Sequence, residues 1–167
     1  MGDHPSFGRH QAGVEVRQSV PADIPHLRAV AHASHRQGRF HVDPSFPQTR
    51  CDELYAVWIE RSCQGYADAV FVGEIDGLPV GYLSCHLTRS EAGRIGLFGV
   101  DVSARRRGLG SRLIHDAADW FGVQGVSKIS VVTQRRNDAA MRLYKKHGFK
   151  TESKGHWYHL WPESVDG

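Results

Sequence analysis

The stretch Val100-Asp101-Val102-Ser103-Ala104-Arg105-Arg106-Arg107-Gly108-Leu109-Gly110 joins a run of β character to an amphipathic one. Upstream, Arg94–Val102 reads as a strand; downstream, Ser111–Gly122 repeats Leu113, Ile114, Ala117, Ala118 and Phe121 at helical spacing. Glycines 108 and 110 let the backbone approach a ligand closely, and Ser111 stands where the next helix begins with unpaired N–H groups. That combination suits an anion, with the helix dipole adding about 0.3–1 kcal/mol per favourable charge. Arg105, Arg106 and Arg107 point to a phosphate or pyrophosphate, although a basic surface turn would use the same residues. Two familiar alternatives fail. The dinucleotide fingerprint requires a third glycine where Leu113 stands, and the Gly-Lys-Ser/Thr of a nucleotide-binding P-loop is absent.

Working outward, Lys128–Thr133 is a β-branched strand, Asn137–His147 a helix with Gly148 at its C′ position, and His156–Trp161 a final aromatic strand. Toward the N-terminus, Val14–Arg17 alternates as a strand, and Pro21–Gln37 carries Ile24, Leu27, Val30, Ala31 and Ser34 at helical spacing, with Gly38 as the stop. Pro44 and Pro47 make the segment from Arg39 to Gln48 a loop. A second helix presents Leu54, Val57 and Trp58 and ends near Gly65. Strands Ala69–Ile75 and Val80–Leu87 flank Asp76-Gly77, a strong hairpin signal. The order predicts an α/β fold with a mixed, twisted sheet of about six to seven strands flanked by helices. The expected organisation is a flexible tail over residues 1–12 and one domain over 13–163.

The 167 residues carry 21 Lys+Arg against 18 Asp+Glu, a net charge of +3 that suits a small anionic ligand better than a nucleic acid, which calls for a broad basic face. No apolar run approaches the length of a membrane span, and residues 1–13 have no signal-like apolar region. Met1-Gly2 with Ser6 fits the loose myristoylation pattern, but no basic cluster supplies a second membrane signal. Cys51, Cys63 and Cys85 form no CxxC pair. With Cys51 and Cys63 on one helix, their separation of about 18 Å excludes a disulfide. A reducing, cytoplasmic compartment is the expectation. The 11 histidines show no metal-ligand spacing, so no metal is expected.

A second constellation follows the first: Asn137, Ala140, Leu143, Tyr144, Gly148 and Phe149. Singly, Asn137 reads as a helix N-cap and Tyr144 as a packing residue. Together, Arg105-x-x-Gly108-x-Gly110 and, after a strand, Asn137 with Leu143-Tyr144-x-x-x-Gly148-Phe149 resemble the GCN5-related N-acetyltransferase superfamily, over about Val14 to Trp161. The resemblance implies acetyl-CoA as the acetyl donor, with its pyrophosphate on the backbone from Arg106 to Ser111, flanked by Asp101 and Arg105. It implies the pantetheine arm on the backbone of Val100 and Val102, with Asn137 on its far side. Val102 departs from the pattern, where many relatives have proline; a backbone role survives the change. Tyr144 matches the tyrosine that protonates the departing thiolate. For the base that takes the amine's proton, His41, His86 and a water chain stay open.

Three shorter segments look like the dTDP-fucosamine acetyltransferase group: Gly38-Arg39-Phe40-His41-x-Asp43, Tyr55-x-x-Trp58-Ile59-Glu60 and Trp157-Tyr158-His159-Leu160-Trp161. That likeness implies transfer to the 4-amino group of a dTDP-linked dideoxy sugar held by Arg39, Phe40, His41 and Trp58. Phe40, Trp58 and Trp157 also read as core aromatics. The partner expected is a small-molecule amine, with a homodimer as the candidate assembly. Alternatives are a protein N-terminus, polyamine or antibiotic amine as acceptor, and a non-catalytic acyl-CoA-binding module.

Overall fold

In the computed structural model, which describes residues 13–35, 47–89 and 91–155, β1 (Val14–Gln18) enters a short 3-10 turn, Pro21–Asp23, and then α1 (Ile24–Ser34). There follow α2 (Gln48–Arg61), β2 (Ala69–Ile75), β3 (Leu78–Thr88), β4 (Ala92–Val100), α3 (Leu109–Val123), β5 (Lys128–Val131) and α4 (Asp138–Lys146). The strands lie in the order β1-β2-β3-β4-β5. The first four are antiparallel, and β5 runs parallel to β4 because α3 carries the chain back across the sheet. Asp76 and Gly77 have φ values of 50° and 78°, the double positive φ that a two-residue hairpin turn demands.

Each face of the sheet is covered by helices, and each has its own core. On one side Leu27, Val30 and Ala31 of α1 and Tyr55 and Ile59 of α2 meet Val70, Val72, Tyr82 and Leu97. On the other, Leu109, Leu113, Ile114, Ala117 and Phe121 form one stripe of α3 against Phe71, Leu83, Cys85 and Ile95, with Tyr144 of α4 joining them. Glycines let α3 lie close: a Cβ at Gly73 would stand 2.5 Å from a Leu109 methyl, and one at Gly93 2.5 Å from the Phe121 ring. Charged pairs tie the elements together at their edges. Arg17 on β1 grips buried Asp23 with two bonds of 2.8 Å and also reaches Glu74 on β2, holding the Asp23 carboxyl below the usual carboxylate range. Arg28 on α1 bridges to Glu53 and Glu60 on α2.

The elements differ from the sequence expectation mainly at their ends. The helix expected over Pro21–Gln37 opens as the 3-10 turn, and its α-helical part stops at Ser34. The second helix gives way after Arg61 to a wider turn, Ser62–Tyr66, in which Gly65 takes φ 106°. Cys51 therefore lies on α2 and Cys63 just beyond it; none of the three cysteines is in a disulfide, and burial pushes the Cys85 thiol up to about 12. The strand expected over Arg94–Val102 ends at Val100. Asp101 takes the Ser103 N–H on its carboxylate at 2.9 Å, which turns the chain and puts Val102 in the 3-10 turn Val102–Ala104 rather than on a strand. Five strands are present among the described residues; the expected sixth, His156–Trp161, the tail over 1–12 and the stop at Gly38 lie outside them.

Candidate active site

The β4–α3 connection is pinned at both ends by burial. Ala104 and Leu109 are in the core, while Arg105, Arg106, Arg107 and Gly108 between them face solvent. Arg106 and Gly108 both take left-handed φ values, 61° and 77°, so the backbone folds back on itself just before α3. The first backbone bond of α3 runs from the Arg112 N–H to the Gly108 carbonyl. The amides of Leu109, Gly110 and Ser111 are thus the orphan donors of this terminus, with no side-chain cap and no acidic residue in the first turn. The positive end of the helix dipole therefore faces the turn with no acidic residue in the helix's first turn. Gly110 also serves the packing. A Cβ there would meet Leu143 at 3.1 Å and Phe98 at 3.3 Å, so its missing side chain serves the approach of α3 to β4 and α4.

Beside this turn the sheet opens. The β4–β5 pairing runs from Ala92↔Lys128 to Ile95↔Val131 and stops, while β4 continues for five residues to Val100. At that point β4 carries a β-bulge: Cys85 opposes Ile95 but Leu83 opposes Phe98, so Gly96 and Leu97 share one partner, Ser84. The phase of the strand changes there. Ile95 belongs to the α3 core, Leu97 to the opposite core, and Phe98 and Val100 pack on the α3 side again. Backbone directions follow. The Leu97 N–H reaches toward β3, to the Ser84 hydroxyl at 2.7 Å, and the Asp101 N–H reaches the β3 carbonyl of Val80 at 2.8 Å. Because N–H directions alternate along a strand, the amides of Phe98 and Val100 point the other way, into the wedge left by β5. The Val100 carbonyl, at the strand's end, accepts from Ser34 Oγ and Arg105 Nε, both at 3.3 Å.

Tyr144 borders the wedge, placed by the end of α4. Gly148 (φ 83°) donates to the Lys145 carbonyl and Phe149 to the Tyr144 carbonyl, both at 3.0 Å, a complete Schellman motif. The hydrophobic contact of that motif is Tyr144 against Phe149, with ring centres 5.5 Å apart, and the Tyr144 ring also lies 6.2 Å from that of Phe98. Its hydroxyl has no hydrogen-bond partner among the described residues, and burial raises its pKa above the ordinary value, so it keeps its proton through neutral pH. Asn137 caps α4, its side-chain oxygen accepting the Ala140 N–H at 3.1 Å.

The remaining expected residues divide. Arg39, Phe40 and His41 lie outside the described residues. Trp58 is half-buried on α2, its ring near-parallel to Tyr55, which stacks on His35 at 4.2 Å. His35 meets the Tyr82 hydroxyl at 2.7 Å, and Tyr82 fills the space beside Gly99. An aromatic wall therefore runs along the α1–α2 side to the open end of β4. His86 is buried at the bulge, 3.4 Å from Ser84 Oγ and edge-on to Tyr66, and burial with nearby Arg94 holds it neutral. Sequence reasoning missed Phe98, Ser84, His35 and Tyr82. The available signal was a serine, Ser84, within the apolar run of β3. Among the described residues no three His, Cys, Asp or Glu side chains gather for a metal, and no helix is long and apolar enough to cross a membrane.

Residues 35–149 match the acetyltransferase (GNAT) family, and the chain belongs to it. Among curated proteins it is 32% identical over 148 residues to the dTDP-fucosamine acetyltransferase of Escherichia coli O6:H1, a match covering 87% of this chain and 62% of the relative. It is 25% identical over 148 residues to the spore coat polysaccharide biosynthesis protein SpsD of Bacillus subtilis, covering 89% of this chain and 51% of that one. The chain thus spans roughly half to three-fifths of the length of these relatives. In fold it matches the PaiA N-acetyltransferase of Thermoplasma acidophilum, solved with coenzyme A, with a TM-score of 0.73 and 17% identity over 85% of this chain and 92% of the other.

Proposed function

We propose that this chain transfers an acetyl group from acetyl-CoA to the amine of a nucleotide-linked sugar, a dTDP-linked 4-amino-4,6-dideoxyhexose being the acceptor it fits best. The observation that carries the transfer is the wedge. Its Phe98 and Val100 amides offer a strand edge to the amide-bearing pantetheine arm, and the orphan amides of Leu109, Gly110 and Ser111 stand at the base of the same strand for the pyrophosphate. Arg105, Arg106 and Arg107 supply positive charge around that cradle, and the Asn137 side-chain N–H2 remains for the far side of the arm while its oxygen caps α4. The sugar acceptor rests on the 32% identity to dTDP-fucosamine acetyltransferase and on the likeness of the Arg39–Asp43 and Tyr55–Glu60 segments to that group.

The chemistry is direct attack. The neutral amine adds to the thioester carbonyl, the C–S bond breaks, the thiolate takes the Tyr144 proton, and the new amide sheds its extra proton to solvent, which reprotonates Tyr144. On reference values, a tyrosine of about 10 giving its proton to a thiolate of about 8.5 is uphill by about 2 kcal/mol, and burial of Tyr144 adds to that. The charges of the intermediate beside buried Tyr144 offset this cost. Arg39 supplies a guanidinium for the acceptor's pyrophosphate, and Phe40 and Trp58 flat apolar surface for its base or sugar.

The test is an acceptor panel of dTDP-linked 4-amino sugar, free amino sugar, polyamine, aminoglycoside and N-terminal peptide, read by mass spectrometry for one added acetyl group. The linked sugar should be acetylated far faster than the others, because losing the nucleotide anchors costs orientation as well as binding. Equal turnover of peptide or polyamine would refute the sugar assignment. Binding of CoA without turnover of any amine would favour an acyl-CoA-binding module.

A further inference from the structure

A β-bulge removes backbone groups from the sheet ladder, and in a buried strand each removed N–H must find another acceptor. At Gly96-Leu97 that acceptor is a side chain. Ser84 is fully buried, sits alone opposite the two bulged residues, and takes the Leu97 N–H on its hydroxyl at 2.7 Å. The same hydroxyl lies 3.4 Å from His86 Nε2, on a ring whose pKa burial and nearby Arg94 lower. The space is filled to its limit: a Cβ on Gly96 would lie 2.4 Å from His86 Nε2 and 2.8 Å from Ser84 Oγ. Gly96 is therefore the residue that lets Ser84 and His86 lie beneath the bulge.

The bulge decides what β4 presents to the wedge. Without the extra residue, Phe98 would oppose Tyr82 and the strand would stay in the phase it has at Ile95. Phe98 would then leave the Tyr144 ring, and its amide would turn toward β3. We propose that Ser84 is a positioning residue for acetyl transfer, holding by its bond to the Leu97 amide the bulge that directs the Phe98 and Val100 amides into the wedge. This rests on the reading of the wedge as the seat of the pantetheine arm. It also separates the two halves of the donor site, because the pyrophosphate cradle on α3 lies beyond the bulge and takes its shape from Arg106, Gly108 and the helix itself.

That separation gives the test. Affinities for CoA and for 3′-phospho-ADP, which carries the pyrophosphate but no pantetheine arm, are measured by calorimetric titration on wild type, Ser84→Ala and Gly96→Ala. Ser84→Ala leaves the Leu97 amide unpaired, and Gly96→Ala displaces the hydroxyl by crowding, so each disturbs the bond by a different route. Both variants should bind CoA about tenfold or more weakly, on the scale of one unsatisfied amide. Their affinity for 3′-phospho-ADP should stay within about twofold of wild type on the same scale. Ser84→Cys, which keeps a weak acceptor of similar size, should recover part of the CoA affinity and serves in place of Ser84→Ala should that variant not fold. Unchanged CoA affinity in the folded variants would overturn the proposal, and so would an equal loss for both ligands. A wild type that binds CoA no better than 3′-phospho-ADP would instead refute the pantetheine reading of the wedge.

Discussion

Replacing Tyr144 by Phe removes one oxygen and leaves the ring in place. The ring contacts to Phe98 and Phe149 and the core position stay, and the lost hydroxyl has no partner among the described residues whose bond would be broken. Stability at neutral pH should therefore move by no more than about 0.5 kcal/mol. Catalysis should move far more. General acid transfer contributes about 10² to 10⁴ in rate, equivalent to about 2.7 to 5.4 kcal/mol of barrier at 1.36 kcal/mol per decade. The assay is thiol release at saturating acetyl-CoA and acceptor, beside calorimetric titration with CoA and thermal melts of both proteins. We expect kcat to fall by that factor with CoA affinity and Tm nearly unchanged. Tyr144 also predicts an alkaline signature. Its folded pKa is raised above the unfolded value of about 10, so stability is fully present below that pH and falls above it, as the unfolded chain ionises and the native one does not. Fully buried Tyr82, raised by the same cause, contributes a like fall, so Tyr144→Phe should lessen the loss of Tm between pH 8 and 10.5 without abolishing it. An unchanged kcat, with chemistry shown to limit the rate, would refute the acid role and leave Tyr144 as a packing residue.

Gly148→Ala puts a Cβ at φ 83° and strains the Schellman turn that seats Tyr144; circular-dichroism melts should show a loss of about 1–2 kcal/mol, with kcat falling as well. Asp23→Asn removes the charge gripped by Arg17. Because the folded Asp23 pKa is lowered, its contribution is present above the unfolded value of about 3.9 and lost below it, so the variant should be less stable than wild type at pH 6 and the difference should shrink as a titration passes below pH 4. CoA binding should weaken as salt rises from about 0.05 to 0.5 M, where the screening length falls to a few ångströms, and a salt-independent Kd would argue against the pyrophosphate cradle. Arg39→Ala should depress turnover of the dTDP-linked sugar while leaving the CoA titration unchanged.

What could be read from the sequence was whatever depends on neighbours along the chain. The Gly108-x-Gly110 turn, the Asn137 cap, the Gly148 stop and the Asp76-Gly77 hairpin are each set by a few consecutive residues, and each is found where local chemistry puts it. Element ends moved where a competing local bond won, as at Asp101, whose carboxylate captured the Ser103 N–H and ended β4 before Val102. The wedge is different in kind. Its opening depends on β5 stopping at Val131 and on two residues of β4 facing one of β3, and register is a property of paired strands rather than of either alone. Read singly, Gly96-Leu97-Phe98 alternates as any strand does, and Ser84 is one polar residue in an apolar run. Only when β3 lies against β4 does that serine become the acceptor for an amide the ladder cannot satisfy. The motifs thus identify the family through a turn that is local, whereas the direction of the Phe98 and Val100 amides depends on a pairing irregularity that the motifs do not contain. Substitutions at Ser84 or Gly96 should therefore disturb the donor site while leaving every residue of the recognisable motifs in place.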